Sequence, residues 1–269
     1  MKVHYKIIFT KTKMKNQSNT KISKKVISVT IGIPAHNEQN NIGKLLDSIL
    51  AQKGSNFKIE KIIVACDGCS DKTAGIVKSY IEKNSNVKLI NDGKRLGQAA
   101  RLNNFYKALT SEVFITFDAD VILADQNVVS EIVKAFRNNN VGLVGGFDIP
   151  LPQKTVIGKI LQTRESFWST MKTKINNGDN IHSHPGCVSA GRKSFLKKVT
   201  IPLNIVANDH YLYFEALQKG FQFKFAKKAQ IYFKVPTTFR DYMAQTTRFR
   251  NSSDNIKKHF GNWTEKYYQ

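Results

Sequence analysis

The chain has 269 residues, a hydrophobic content of 41% and a net charge of +22. Its length suits one large domain or two small ones, and its apolar content is enough for a buried core, which excludes a disordered chain. The excess positive charge favours partners that carry negative groups, such as nucleic acid, anionic lipid or a phosphorylated substrate.

The number of cysteines and the hydropathy of the chain indicate the cellular compartment in which the protein is expected. The three cysteines are an odd number, and Cys66 and Cys69 have no second pair with which to complete a four-ligand zinc site. The longest uncharged run, residues 26–37, has twelve residues and is too short to span a membrane. The sequence therefore predicts a cytoplasmic protein with reduced thiols and no signal peptide.

Residues 1–25 hold eight lysines and no acidic residue. This composition predicts a flexible basic arm, either solvated or in contact with an anionic membrane surface at the inner face of the cell membrane. No Gly/Ser linker interrupts the remaining chain. We therefore predict a single domain over residues 26–269, with a first half at 26–125 and a second half at 126–269.

The first half alternates β-branched runs with helical periodicity. The predicted strands are residues 26–33, 59–66, 87–90 and 113–117, and the predicted helices are 40–51, 70–81 and 96–109. Strands separated by helices pair in parallel through right-handed crossovers. The predicted fold class is therefore α/β, with a Rossmann-like, mostly parallel central sheet and helices on both faces.

The second half has a looser rhythm. Helices are predicted at residues 127–137, 155–174, 209–219 and 237–250, and strands at 141–147, 221–225 and 230–233. Residues 175–191 are rich in Gly, Asn and His, which predicts a loop.

Two carboxylates follow the central predicted strand directly, at Asp118 and Asp120. An unpaired carboxylate is too costly to bury, and the carboxyl end of a strand is the usual ligand crevice of an α/β sheet. Mg²⁺ and Mn²⁺ take a few carboxylates together with phosphate oxygens, so this pair predicts a site for a metal-bound nucleotide. The alternative is an acidic turn that closes the strand.

The other strands of the first half also end in polar residues. The first runs into Pro34-Ala-His-Asn-Glu38, the second into Asp67 and the third into Lys94. Carboxylates and amides suit ribose hydroxyls and a base edge, whereas lysine suits a diphosphate. The sequence has neither a P-loop nor a dinucleotide-binding glycine motif.

These motifs, in this order and spacing, resemble glycosyltransferase family 2. The resemblance rests on residues 34–38, 67–73, 97–103 and 117–120, and it spans residues 26 to about 125. Farther along, residues 186–192, 208–209 and 245–249 are similar to the acceptor-side motifs of the processive hyaluronan, chitin and cellulose synthases. The resemblance implies the GT-A fold and an inverting transfer in cell-surface or exopolysaccharide synthesis. It also implies a nucleoside-diphosphate sugar donor (UDP most often), Mg²⁺ or Mn²⁺, and a glycan or lipid-linked acceptor.

The resemblance also implies residue roles, with the first half binding the nucleotide sugar and the second half the acceptor. Asp209 would be the catalytic base and Asp120 the metal ligand. The nucleotide-sugar contacts would come from Ala35, Asn37, Glu38, Asp67, Lys94, Asn103, Asp118 and Arg248. The acceptor contacts would come from Gly186, Cys187, Gln245 and Phe249. For Asp209, the alternative is an acidic helix N-cap.

Two departures from the processive pattern and four alternative interpretations bear on this assignment. The last motif ends in Phe249 rather than Trp, and no membrane span is present, so we expect a non-processive enzyme or a separate membrane subunit. Acidic residues at the strand ends argue against a nucleic-acid-binding protein, because they repel phosphates. A polyprenyl-phosphate glycosyltransferase and a nucleotidyltransferase stay open as other enzymes. Asp120, Asp209 and Arg248 together argue against a non-catalytic domain.

Overall fold

The computed structural model describes residues 25–267, and for residues 248–253 and 266 it describes the backbone only. Within this part of the chain, one sheet of eight strands has the order β3-β2-β1-β4-β7-β6-β8-β5. The strands are β1 (Ile27–Ala35), β2 (Phe57–Cys66), β3 (Val87–Ile90), β4 (Val113–Phe117), β5 (Ile122–Leu123), β6 (Val141–Pro150), β7 (Val188–Arg192) and β8 (Gln222–Phe233). The predicted basic arm lies outside the described residues except for Lys25, which pairs with Glu112.

The first half of the chain folds as its periodicity predicts. β1 pairs in parallel with β2 and β4, and β2 pairs in parallel with β3. Together with the pairing of β6 and β8, four of the seven strand pairings in the described chain are parallel. The strands are apolar on both faces because helices cover both sides of the sheet.

The helices are α1 (Ile42–Leu50), α2 (Thr73–Lys83), α3 (Gln98–Ala108), α4 (Val128–Ala135), α5 (Val156–Lys172), α6 (Lys193–Leu196), α7 (Asn208–Gln218) and α8 (Phe239–Phe260). Helices α1, α2 and α4 contribute to one buried apolar cluster, and α3, α6, α7 and α8 contribute to another. These two clusters confirm the helices predicted on both faces. None of the helices within residues 25–267 is long and apolar enough to cross a membrane.

The structure corrects three predictions in the second half. The predicted loop at 175–191 contains two short 3-10 turns, Ile175–Gly178 and Ile181–Ser183, and its last residues belong to β7. The predicted strands at 221–225 and 230–233 are one strand, β8, whose register against β6 shifts between Gly146 and Phe147. Helix α8 continues to Phe260 instead of ending at residue 250.

Strand β7 is the most consequential of these corrections. It lies between β4 and β6 and is antiparallel to both. Because Phe117 pairs with Val188, the residues just before β7 lie beside the residues just after β4. The antiparallel pairing thereby brings Cys187 next to Asp118.

Candidate active site

A cleft of about 920 Å³ opens where β4 ends. Its walls come from the loop before α3, one side of α5, the segment before β7, the start of α7 and the first turns of α8. Six residues predicted from the sequence as site residues line this single cleft: Asp118, Asp120, Gly186, Cys187, Asp209 and Gln245. Residues as far apart in sequence as Asp118 and Gln245, which are 127 positions apart, thus share one space because the fold brings them together.

Hydrogen bonds at its backbone and at its carboxylate hold Asp118 in the cleft. Its backbone N–H donates to the carbonyl of Cys187 over 3.1 Å, which continues the pairing of β4 with β7 past the strand end. Its carboxylate accepts a 3.0 Å hydrogen bond from the side-chain amide of Gln98, the first residue of α3. Asp120 follows two residues later and lines the same cleft.

Gln98 also links Asp118 to α7. Because a carboxylate only accepts, the Gln98 amide nitrogen faces Asp118 and its amide oxygen faces away. That oxygen accepts a 3.2 Å hydrogen bond from the amide nitrogen of Asn208. The buried Asn208 Oδ1 has no partner among the described protein atoms. Gln98 and Asn208 lie within the motifs at residues 97–103 and 208–209, but the sequence did not predict that they bond to each other.

Asp209 is not the helix N-cap that the alternative interpretation required. Ala207 occupies the N-cap position of α7 and makes no side-chain capping bond. The helix begins at Asn208, so Asp209 lies inside its first turn. Its carboxylate faces the segment before β7, since a Cβ atom placed on Gly186 would lie 3.5 Å from Asp209 Oδ2. The carboxylate is therefore presented to the cleft rather than used to cap the helix.

The backbone of Asp209 is held by His184, which is 1% exposed. His184 Nδ1 lies 2.9 Å from the Asp209 carbonyl, and its Nε2 lies 2.8 Å from Ser189 Oγ. A carbonyl can only accept, so Nδ1 carries the proton and Nε2 accepts from the serine hydroxyl. Gly145 makes room for this segment, because a Cβ atom there would lie only 2.4 Å from the Ser183 carbonyl oxygen.

This buried imidazole predicts a pH-dependent stability. Burial lowers the pKa of His184 from 6.5 to about 4, so the unfolded chain binds a proton that the folded chain rejects between these values. The contribution of His184 to the free energy of unfolding is complete above pH 6.5 and is lost as the pH falls towards 4, by about 3 kcal/mol. Urea denaturation at pH 7, 5 and 4 measures it.

The variant His184→Gln is the control for that experiment. It is expected to be less stable than the wild type at pH 7, because glutamine cannot reproduce both hydrogen bonds, and to lose less stability between pH 7 and pH 4. Equal losses in the two proteins would show that His184 does not produce the acid sensitivity.

The predicted residues at the ends of β1 and β2 form a neighbouring bonded unit that does not line the cleft. The Asp67 N–H donates to the Ala35 carbonyl over 2.8 Å. The Asn37 side chain accepts from the backbone of Ser70 at 2.9 Å, and the Glu38 N–H donates to Thr73 Oγ1 at 2.8 Å. These contacts join the two loops that the sequence assigned to the nucleoside. Burial is the largest effect on Glu38 and raises the pKa of its carboxyl.

Asp67 is the centre of a buried charge network that the sequence did not reveal. Its carboxylate accepts hydrogen bonds from the backbone N–H groups of Leu96 and Gly97 and from the side chains of Arg95 and Arg101. Arg101, only 2% exposed, also pairs with Asp92 and donates to the carbonyl of Lys94. Burial by itself would raise the pKa of the Asp67 carboxyl, but these donors together outweigh burial and lower that pKa. Any nucleoside contact of Asp67 would have to coexist with these bonds.

Two other predicted residues, Asn103 and Lys94, do not line the cleft. Both polar atoms of the Asn103 amide bond to the backbone of Ile201, at 2.8 Å each, so Asn103 links α3 to the loop after α6. Lys94 is exposed and contributes its backbone to the Asp67 network. The side chains of Arg248 and Phe249 lie outside the described residues.

The carboxylates at the end of β4 fit a cation that is bound partly by the protein and partly by the phosphate oxygens of a substrate. Residues 25–267, where side chains are described, contain no group of three or more His, Cys, Asp or Glu placed to hold a metal by themselves. Mg²⁺ and Mn²⁺ commonly bind through one or two carboxylates and take phosphate oxygens from the substrate. Asp120, with Asp118 nearby at the same strand end, offers that arrangement.

Comparison with known proteins identifies the family. A family model described as "Glycosyl transferase family 2" matches residues 30–200, more than half of the chain. The chain belongs to glycosyl transferase family 2. This membership confirms the resemblance seen in the sequence and favours glycosyl transfer over the nucleotidyltransferase alternative.

Individual relatives are similar to this chain over different shares of its length. A dolichyl-phosphate beta-glucosyltransferase of Trichomonas vaginalis is 30% identical over 53% of this chain and 47% of its own length. A poly-beta-1,6-N-acetyl-D-glucosamine synthase of Staphylococcus aureus is 23% identical over 85% of this chain and 55% of its own. The chain therefore spans about half the length of the curated relatives it matches.

Solved structures confirm the GT-A fold predicted from the resemblance. A mannosyltransferase from Pyrobaculum calidifontis, solved with GDP-Man and Mn²⁺, superposes with a TM-score of 0.67 at 20% identity, covering 83% of this chain and 61% of that one. TarS of S. aureus in complex with UDP-GlcNAc superposes with a TM-score of 0.58 at 16% identity, covering 79% and 60%.

Proposed function

We propose that this family 2 glycosyltransferase moves a sugar from a nucleoside-diphosphate sugar to a hydroxyl group of a saccharide acceptor, with inversion at the anomeric carbon. The observation that carries the proposal is the convergence of Asp118, Asp120 and Asp209 on one cleft, from a strand end and a helix start that are distant in sequence. An inverting transfer needs a base on the acceptor side and charge stabilisation on the leaving group. The cleft supplies carboxylates for both roles.

Asp209 is proposed to take the proton of the acceptor hydroxyl. The acceptor oxygen then forms its bond to the anomeric carbon while the bond from that carbon to the diphosphate oxygen breaks. The proton ends on the Asp209 carboxylate, and the electron pair leaves with the diphosphate. The hydrogen bond from His184 to the Asp209 carbonyl fixes the start of α7, so the carboxylate is held in position before substrate binds.

Asp120 is proposed to hold a divalent cation, with Asp118 and Gln98 organising the donor side of the cleft. When bound, the cation would neutralise charge on the leaving diphosphate. Arg95 and Lys234 also line the cleft and add positive charge there. The relatives support a nucleotide sugar as donor, since two solved structures of this fold hold GDP-Man and UDP-GlcNAc.

The test is metal-dependent nucleotide binding. Calorimetric titration of UDP and GDP, with and without Mn²⁺, is expected to show a gain in affinity with the metal for at least one nucleotide. Asp120→Ala is expected to remove that gain because it removes the proposed ligand. Asp125→Ala is the matched control, since Asp125 is an exposed acid five residues later that does not line the cleft.

The outcomes are decisive for the donor side. Failure of the wild-type protein to bind either nucleotide would contradict the proposed function. A metal-dependent gain that survives in Asp120→Ala would leave the function standing and reject Asp120 as the ligand.

A lipid-linked acceptor is the second candidate, and exposed apolar side chains favour it. Leu203 and Val206 line the cleft and are 73% and 40% exposed. Val156 and Phe239, on the first residues of α5 and α8, are 75% and 62% exposed, and a hydrogen bond between Thr155 and Thr237 holds these helix starts together. Measuring the rate of sugar transfer to a polyprenyl phosphate and to free saccharides distinguishes the two candidate acceptors.

A further inference from the structure

One side of helix α5 faces the cleft along most of the helix. Its cleft-lining residues recur every three or four positions, as expected for one face of an α-helix: Leu161, Arg164, Glu165, Trp168 and Lys172. The proposed donor and base residues lie on other elements, so this wall has no role in that machinery. Its chemistry is nevertheless specific, because it combines one aromatic ring with fixed charged groups.

Trp168 is the aromatic ring of this wall. Its side chain lines the cleft yet is 41% exposed, which leaves a large apolar face open to whatever enters. His182 packs edge-to-face against the indole, with 5.3 Å between the ring centroids. The backbone of His182 is itself tied to the Asn180 side chain at 3.0 Å, so the supporting ring is anchored in the 3-10 turn. The indole is therefore a pre-positioned flat surface.

Charged groups line the same side of the cleft as this ring. Lys172, 2% exposed, forms a buried ion pair with Asp148 on β6. Arg164 pairs with Glu165 at 3.4 Å, and burial raises the pKa of the Glu165 carboxyl. Asp148 lines the same cleft as Asp118 and Cys187, and the Asp118 N–H donates to the Cys187 carbonyl over 3.1 Å, so this wall shares the cleft with the donor-side acid.

A sugar ring is the ligand that this combination fits. A pyranose presents C–H groups on its faces, which pack on an aromatic ring, and hydroxyl groups around its edge, which bond to carboxylates and cations. A phosphate group is a poorer fit, because the Asp148 and Glu165 carboxylates would repel it. The nucleotide has its predicted contacts at the ends of β1 and β2, outside this wall.

We propose that Trp168, Glu165 and the Asp148–Lys172 pair form a saccharide subsite that holds the acceptor sugar against α5. The inference rests on the proposed function, because it takes the cleft to be the place of transfer. It gives the acceptor platform to Trp168, a residue outside every motif that the sequence singled out. The transferred sugar would be delivered between this platform and Asp209.

Intrinsic fluorescence tests the subsite directly, because the chain has two tryptophans, Trp168 and Trp263. In full-length Trp263→Phe protein, Trp168 is the only tryptophan. Titration with a panel of hexose and N-acetylhexosamine disaccharides, in the presence of UDP or GDP, is expected to shift its emission saturably for at least one saccharide. In Trp168→Phe protein, the emission of Trp263 is expected to stay unchanged by the same saccharide.

Kinetics with that saccharide provide a second measurement. Trp168→Ala is expected to raise the acceptor KM by about tenfold or more, and to do so at least several times more than it raises the donor KM. Trp168→Phe keeps an aromatic face and is expected to recover most of the loss. Phe167→Ala is the matched control, since Phe167 is the neighbouring aromatic residue, 66% exposed, and does not line the cleft.

The outcomes separate this inference from the proposed function. Nucleotide binding without any saccharide-dependent emission change would overturn the subsite alone, as would equal acceptor KM values for Trp168→Ala and Phe167→Ala. An equal rise of donor and acceptor KM would place Trp168 on the donor side and also overturn it. Absence of nucleotide binding in the wild type would reject the proposed function itself.

Discussion

Asp209→Asn is expected to lower sugar transfer by about 10²–10⁴-fold, the usual contribution of a positioned general base. Asparagine has nearly the same shape, so the first turn of α7 and the hydrogen bond from His184 to the residue 209 carbonyl should survive. The amide cannot accept the proton of the acceptor hydroxyl under these conditions. Initial rates of transfer from the nucleotide sugar, with saccharide in excess, measure the loss.

Nucleotide binding identifies the side of the cleft on which Asp209 acts. A base on the acceptor leaves the affinity for UDP or GDP close to that of the wild type, so calorimetry of Asp209→Asn should reproduce the wild-type value. Asp241→Asn is the matched control, because Asp241 is also in the first helical turn, of α8, but is exposed and outside the cleft lining. Transfer within tenfold of wild type would remove Asp209 from the base role.

Arg101→Met is expected to lower the free energy of unfolding by about 3–5 kcal/mol, which is the usual cost of removing one partner from a buried ion pair. Arg101 and Asp67 are 2% and 4% exposed, and the Arg101 Nε lies 2.9 Å from the Asp67 carboxylate. Without the guanidinium, the Asp67 carboxylate stays buried with less compensation, and Asp92 loses both of its bonds from Arg101. Urea denaturation at pH 7 measures the change.

Arg95→Met is the matched control for that substitution. Arg95 also bonds to Asp67, at 3.0 Å, but its side chain is 58% exposed, so solvent screens the pair and the expected loss is below about 1 kcal/mol. Adding Asp67→Asn to Arg101→Met should recover part of the stability, because it removes the uncompensated charge. If Arg95→Met and Arg101→Met lose equal stability, burial of the pair is not the cause.

The local sequence pattern was sufficient to predict the strands and helices of the first half of the chain. Strand β4 is a run of apolar, β-branched and aromatic residues, all of them buried, and the periodic apolar residues of α1 are buried on one side. Strand ends followed by polar residues predicted where a ligand would bind, since parallel strands present their carboxyl ends at one edge of the sheet. Asp118 and Asp120 therefore followed from neighbouring residues alone.

Strand β7 could not be predicted in this way. Its sequence, Val188-Ser-Ala-Gly-Arg192, has small residues and no clear alternation, and it becomes a strand because β4 and β6 pair with it on both sides. Likewise, the sequence of α5 shows Trp168 and Lys172 on a helix but not the side that faces β6 and Asp148.

The amino-acid sequence by itself determined the family, the α/β class and the acids at the strand ends, because these depend on residues close together in the chain. Only the tertiary structure decided that Gln98 joins Asp118 to α7, that Arg101 neutralises Asp67, and that Asn103 binds Ile201. Each of these contacts joins residues 20 or more positions apart. For Arg101 and Asp67 the partner is selected by burial, which leaves a polar group no water to bond and requires a protein partner in its place.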